Sequence, residues 1–518
     1  MYTEVIGIID IGSNTIRLVI YGLDDSYNYI EVHNIKTPAR LSQYLYQNEQ
    51  GQTMMSQEGI NHLIEVLISF KMVANSFNVD TLLPMATAAV RQSSNLDEII
   101  TAVKQATDLD IQLVSETDEA SYGQYAITHS TTVDDAITVD IGGGSCEVTL
   151  YRDKQMVEHH SFPFGAVTLN KEFFTGKDHN DPKAIEAVQD FVKKQFKQFD
   201  WIKKSKLDIV AIGGSARNVA NVHQRLVNYP MAGVHGYTMT DNDIIHTLSL
   251  FKATSIDNMA NIDGLSSDRR DLIIPATIVF LELYKATKAN SFVISTQGLR
   301  EGVILKYINS NYNYPIDNQL IRVRAIRQVV RDFPINTIGS QILVNICIRL
   351  YKQLCDLGLM EYQYEVQEEL EFAAYLYRFG GFISIEADSQ HTFYLISNMN
   401  LLGFKHTDRL RLALLSSYRN RSLFRQYVSN FDGWLSGNEL TELQTLGGLL
   451  KFSAALNDSK TGPIKDLKLY RLKDKQYKLD IIHTAPVIAE EYRAMRQQKH
   501  FERALDGNLT IEFIPSSD

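Results

Sequence analysis

Glu4-Val-Ile-Gly-Ile-Ile-Asp-Ile-Gly-Ser-Asn-Thr-Ile-Arg-Leu-Val-Ile-Tyr21 decides the fold, because the chain contains it in a second form, Asp135-Ala-Ile-Thr-Val-Asp-Ile-Gly-Gly-Gly-Ser-Cys-Glu-Val-Thr-Leu-Tyr151. Aligned without gaps from Asp10 and Asp140, each copy is an apolar strand, then Asp-Ile-Gly, then small or polar turn residues ending in a hydroxyl residue (Thr15, Ser145), then a strand closing on Tyr. Glycine and small residues let a backbone turn tightly and bring its N–H groups close to an anion. An Asp at the end of a buried strand can hold a hard cation such as Mg²⁺ through water. One Asp-x-Gly turn is also an ordinary hairpin. Two matched copies facing each other form a pair of phosphate-gripping jaws, with Ser13, Asn14 and Thr15 on one and Gly142, Gly143, Gly144 and Ser145 on the other.

A chain of 518 residues is too long for one core, so two to four domains are expected. With 44% hydrophobic and 22% charged residues it has the composition of a soluble globular protein. A formal charge of −10 argues against a general nucleic-acid binder, so a polyanionic substrate must be held by a local basic lining. The three cysteines, Cys146, Cys347 and Cys355, show no zinc spacing, and the latter two sit in an apolar helical pattern that reads as core. No segment is apolar enough to span a bilayer, and the sequence starts on a strand rather than a signal core, so a cytoplasmic, reduced setting without membrane contact is expected.

Along the chain, residues 1 to about 310 alternate β-branched runs with helical periods, the pattern of α/β architecture. Strands are predicted at 5–9, 17–21, 81–84, 111–114, 136–139, 147–151, 207–212 and 292–294, and helices at 56–77, 96–106, 181–199 and 272–288. Each hairpin opens an α/β half, giving domains at 1–130 and 131–312. Apolar residues then recur at helical spacing over 319–333, 341–357, 364–377 and 409–418, a helical domain at 313–456. The turn-rich stretch 457–463 leads into a small α+β unit at 457–518, with a hairpin at 467–471 and 477–482, a helix at 485–499 and a strand at 509–513.

Seven landmarks then occur in order: Asp10-Ile-Gly-Ser-Asn14, Ala86-Thr-Ala-Ala-Val-Arg91, Ser115-Glu-Thr-Asp-Glu-Ala120, Asp140-Ile-Gly-Gly-Gly-Ser-Cys-Glu147, Ile212-Gly-Gly-Ser-Ala-Arg-Asn218, Gly264-Leu-Ser-Ser-Asp-Arg269 and Gly298-Leu-Arg-Glu-Gly302. Together they resemble the exopolyphosphatase and pppGpp phosphohydrolase (Ppx/GppA) family, within the actin, Hsp70 and sugar-kinase fold superfamily. The resemblance implies two actin-like (ribonuclease H-like) α/β halves, a helical HD-like domain and a small C-terminal domain.

It also implies roles. Glu119, matching the second Glu of the pattern Ser-Gly-x-Glu-Glu-Ala, becomes the base that activates water, although Glu116 replaces the usual Gly and Asp118 the first Glu. Two adjacent carboxylates leave Asp118 open as the base. Asp10, Asp140 and Glu147 become the Mg²⁺ site and part of the catalytic set. Arg91 suits bidentate phosphate binding. Gly213, Gly214, Ser215 and Arg217 lie where a strand meets a helix N-terminus and suit an anion. Arg269 and Arg300 match landmarks and are open between substrate contact and structural ion pair. In the helical domain, Leu376-Tyr-Arg-Phe-Gly380 and Tyr418-Arg-Asn420 stand where relatives carry HD-type metal motifs, so this region reads as non-catalytic, a substrate guide or a dimer element. Arg322, Arg324, Arg327 and Arg331 read as a solvated basic face or a polyanion track.

The implied activity is a hydrolase that releases orthophosphate from inorganic polyphosphate. The alternatives are pppGpp hydrolysis to ppGpp by the same site and a non-catalytic sensor of either ligand. The resemblance further implies a homodimer.

Overall fold

The computed structural model describes residues 2–314, 317 and 320–516. They form two compact units, residues 1–229 with 234–319, and residues 230–233 with 320–518.

The first unit contains two sheets built on one plan. In the five-stranded sheet the order is Tyr29–Thr37, Ile16–Leu23, Glu4–Ile11, Thr81–Ala86 and Gln112–Leu113. In the six-stranded sheet it is Gln155–Phe162, Cys146–Arg152, Ala136–Ile141, Asp208–Ile212, Phe292–Ile294 and Thr238–Met239. Each begins as a three-stranded antiparallel meander whose first strand then pairs in parallel with the strand that follows a helical crossover. Those first strands are buried on both faces, which is why Val5–Ile9 and Ala136–Val139 carry continuous apolar runs.

Each sheet has its own core. Ile9, Ile11, Leu18 and Ile20 pack under the helix Gln57–Ser76, and Val139, Val148, Phe162 and Ile209 pack under Pro182–Phe196 and Ile273–Thr287. The helix Leu299–Tyr312 returns to the first sheet, where Val303, Ile304 and Ile308 bury against Ile6, Ile8 and Tyr21. This return ties the end of the unit to its beginning.

The second unit is helical from Ile321–Asp332 to Gly437–Ala455, followed by a three-stranded sheet, Ile464–Lys473, Gln476–His483 and Asn508–Pro515, and the helix Ile488–Leu505. That helix packs on Gly437–Ala455 closely enough that a Cβ on Gly448 would stand 2.9 Å from the His500 carbonyl oxygen. Cys347 is buried here and Cys355 half-buried. Arg322 is held by Glu368 at 2.9 Å and Asp408 at 2.7 Å and stacks on Phe404, so the first arginine of the predicted basic face is neutralised within the unit. Arg378 likewise pairs with Asp388 at 2.6 Å. Gln319, the predicted start of the first helix of this region, lies outside the described residues. No helix of the described residues is long and apolar enough to cross a membrane.

The fold is thus the α/β pair followed by a helical region and a small α+β unit that the sequence suggested. The meander strands Tyr29–Thr37 and Gln155–Phe162, the short hairpin Leu45–Gln47 with Thr53–Met55, and the edge strand Thr238–Met239 are additions.

Candidate active site

The strand registers place the first functional side chains. In the first hairpin Asp10 is the cross-strand partner of Arg17, and in the second Asp140 is the partner of Glu147. Directly opposed residues project from the same face, so each Asp meets its partner's side chain. The turns close identically: Gly12 N–H donates to the Thr15 carbonyl at 3.1 Å and Gly142 N–H to that of Ser145 at 2.9 Å. The two turns meet tip to tip, and a Cβ added to Gly143 would stand 3.1 Å from the Ser13 Cβ.

A third wall comes from the strand Asp208–Ile212 and the helix Gly213–Leu226 that continues it. Gly213 takes φ +85°, and a Cβ there would lie 2.3 Å from Asp140 Oδ1, so glycine is required for the loop to approach the carboxylate. Arg269 lies against this loop and donates to Ser215 Oγ at 3.2 Å.

Glu119 arrives from the helix Glu116–Thr128. Ser115 caps it, accepting from Asp118 N–H at 3.0 Å and donating to the Asp118 carboxylate at 2.6 Å. The cap engages Asp118, which is exposed, while Glu119 one residue on turns into the cleft. Glu116 sits in the first helical turn, a position that does not require the glycine of the family pattern. Arg91 lies behind Glu119, donating to its Oε2 at 3.0 Å and to the Val114 carbonyl at 2.7 Å.

These walls enclose a cleft of about 370 Å³. Five cations line it, Arg17, Lys36, Arg217, Arg269 and Arg300, against the carboxylates of Asp10, Glu119 and Asp140. No aromatic ring is among the lining residues. Arg300 holds Asp10 Oδ2 at 3.1 Å, and Lys36 holds Asp268 at 2.7 Å.

Burial sets the electrostatics. It raises Asp10, opposed by Arg300 and Arg17, and raises Asp140, opposed by Arg217 and reinforced by Asp10. Glu119 is raised to about 7 in all: burial drives it up, the Arg91 hydrogen bond and charge oppose this, and Asp140 and Asp10 add to it. Glu147 is driven well above the usual carboxylate range by burial and by Glu119, although Ser145 and Ser161 donate to it. Arg217 is lowered to about 10 by burial and by Arg300 and Arg17.

Of the residues singled out in the sequence, Asp10, Ser13, Asn14, Thr15, Glu119, Asp140, Gly142, Gly143, Ser145, Gly213, Gly214, Arg217, Arg269 and Arg300 line the cleft together. Glu147, Arg91, Gly144 and Ser215 stand behind its walls: Glu147 is 7% exposed beside Ser161, Arg91 is committed to Glu119, and Ser215 accepts from Arg269. Arg17 and Lys36 were missed. The signal for Arg17 was present, since it occupies the gap-free position of Glu147 in the repeat. Among the described residues no three His, Cys, Asp or Glu side chains converge enough to hold a metal ion alone.

Comparison with protein families matches residues 20–311 to the Ppx/GppA phosphatase family and residues 321–492 to Ppx/GppA phosphatase, domain III. This chain belongs to the Ppx/GppA phosphatase family. Among relatives, a bifunctional 3-dehydroquinate synthase/phosphatase of Fusobacterium nucleatum is 25% identical over 58% of this chain, which covers only 46% of that protein's length. A guanosine-5'-triphosphate,3'-diphosphate pyrophosphatase of Pseudoalteromonas atlantica is 23% identical over 78% of both chains. Exopolyphosphatase 1 of Mycobacterium tuberculosis is 24% identical over 59% of this chain and 88% of its own. Among solved structures, the Aquifex aeolicus Ppx/GppA member superposes with TM-score 0.51 at 25% identity, covering 60% of this chain and 99% of that one. An exopolyphosphatase from Cytophaga hutchinsonii superposes with TM-score 0.52 at 19% identity over 59% of this chain and 98% of that one, a likeness of fold. The Ppx/GppA match reaches both units.

Proposed function

We propose that this chain is an exopolyphosphatase that removes terminal orthophosphate from inorganic polyphosphate. Its broader class, a hydrolase acting on phosphoric anhydride bonds, follows from the family. The observation that carries the finer reading is the cleft itself, five cations without an aromatic ring, facing a half-buried Glu119 poised near neutrality. A string of phosphates satisfies that lining throughout, whereas a guanine base finds no ring on which to stack.

In the proposed reaction a water oxygen attacks the terminal phosphorus, its proton passes to Glu119, and the bond from that phosphorus to the bridging oxygen breaks, leaving a shortened chain. A base with pKa near the working pH is suited to this transfer. Arg17, Arg217 and Arg269 are placed to hold phosphate oxygens, and Arg91 orients Glu119.

The residues fit a divalent cation. Burial raises all three of Glu119, Asp140 and Glu147; Asp140 and Asp10 add to Glu119, Asp10 adds to Asp140, and Glu119 and Asp140 add to Glu147, an all-oxygen donor set whose repulsion a hard cation would relieve. Mg²⁺ keeps several waters and shares substrate phosphates, so these carboxylates would hold it together with water and substrate oxygens rather than as a closed protein cage. When bound, it would neutralise charge on the phosphoryl group in transfer. Asp10 is engaged by Arg300 and would act with the metal only through water.

The second unit supports a polymeric substrate. Arg419, Arg421, Lys451, Lys499 and Arg503 have no ion-pair partner among the described residues. They gather around His500, with Lys451 Nζ 3.1 Å from its Nε2 and Arg503 Nη1 3.5 Å from its Nδ1. Burial and the neighbouring cations lower Lys451 to about 8. A long polyanion matches such a surface better than a nucleotide does.

Hydrolysis of pppGpp is the second reading, favoured by the Pseudoalteromonas relative, whose match extends over 78% of this chain. Orthophosphate release from long-chain polyphosphate and from pppGpp, measured side by side with Mg²⁺, separates the two. Dominant release from polyphosphate is expected. Preference for pppGpp would move the substrate to the nucleotide, and tight binding without release would make the chain a sensor.

A further inference from the structure

Against the two touching turns lies a second cavity, of about 280 Å³, with neither Asp10, Glu119 nor Asp140 among its lining residues. Its walls come from both halves of the first unit. The segment 40–43 packs on the first turn, Arg40 N–H donating to the Asn14 carbonyl at 2.9 Å and Ser42 N–H to that of Ser13 at 3.0 Å. The helix Ala166–Phe174 starts against the second turn, its Val167 N–H donating to the Gly143 carbonyl at 3.0 Å, and contributes Asn170 and Lys171.

Asn14 lines this rear cavity and the front cleft alike. It is 6% exposed, yet its Nδ2 donor has no hydrogen-bond partner, and neither does the buried Ser42 hydroxyl beside it. A buried donor without an acceptor is costly, and one shared by two cavities calls for a ligand acceptor. Arg40 and Lys171 have no ion-pair partner among the described residues, and one carboxylate, Asp271, faces them. The excess of one positive charge suits weak, exchangeable binding of a small oxyanion.

Resting on the reading of the front cleft as a phosphoanhydride-cleaving site, we propose that this rear cavity is an orthophosphate site on the product's way out. Hydrolysis releases orthophosphate at the turn tips, while the shortened chain still fills the front opening. Asn14, which lines both cavities, hands the product on to Arg40 and Lys171 once the Ser13 and Gly143 tips, in contact here, part. The polymer then stays in place for the next cleavage, because its product does not have to leave past it.

Equilibrium titration of the full-length protein with inorganic phosphate tests this without relying on turnover. Two phosphates per chain are expected, with the Arg40→Gln/Lys171→Gln variant retaining one and losing affinity for the other by about tenfold or more. Lys171 is exposed, so Lys171→Gln alone leaves the fold undisturbed and should weaken the same site. Orthophosphate inhibition of turnover should also lose its noncompetitive component in the double variant. A single phosphate in the unmodified protein, or two bound unchanged in the double variant, would overturn the proposal. Two phosphates bound without any polyphosphate cleavage would instead sink the substrate reading and leave the rear site standing.

Discussion

In the first hairpin Asp10 faces Arg17 across the strand pair, whereas the equivalent position opposite Asp140 in the second is Glu147. Turn closure and strand register are the same; the charge is not. The first jaw therefore carries its own counter-ion, reinforced by Arg300, and presents guanidinium groups to the cleft. The second concentrates negative charge that burial makes unfavourable, and must draw in a proton or a cation. One backbone plan thus carries a cation opposite its Asp in the first hairpin and a second carboxylate in the other.

Glu119 stands where both jaws act on it, so it offers the largest effect. Glu119→Gln should lower orthophosphate release by roughly two to four orders of magnitude with substrate binding retained; near-normal turnover would move the base to Asp118 or Glu147. Next, Glu147→Gln should raise the Mg²⁺ concentration for half-maximal activity by about 10- to 100-fold, while Arg17→Gln should leave it unchanged. Equal responses in a metal titration would abolish the distinction between the jaws. Arg17→Gln should instead raise KM by about tenfold or more, the loss of one charge-assisted contact, with kcat little changed.

The smallest effect is a displacement in pH. Glu119 must be ionised to accept a proton, so kcat/KM should rise with pH through about 7. Arg91 stabilises the ionised form, so Arg91→Gln should move that limb upward, depressing activity at neutral pH and restoring much of it at alkaline pH. A limb that stayed in place would detach Arg91 from the base.

The repeat made the paired halves legible because buried strands and tight turns constrain sequence strongly, and a gap-free alignment survives in both copies. The third strand of each meander was hidden. Tyr29–Thr37 and Gln155–Phe162 are edge strands, half-solvated and rich in His, Asn, Glu and Gln, so they lack the β-branched run that marks a strand. Turn residues such as Ser13 and Gly143 announced themselves by composition. Arg17 did not, since its role comes from facing Asp10, a relation that appears only once the register is known. Nor did composition separate Asp118 from Glu119; the cap at Ser115 does, by engaging the first and leaving the second to the cleft.

The bond from Arg300 to Asp10 joins residues 290 positions apart. A ribosome adding roughly 5–20 residues per second needs about 15–60 s to cover that interval, and throughout it the Asp10 carboxylate has no guanidinium from the far end of the unit. Completion of this part of the candidate site therefore waits on synthesis of the far end of the unit rather than on local folding. A chain ending before residue 300 would lack this partner of Asp10 altogether.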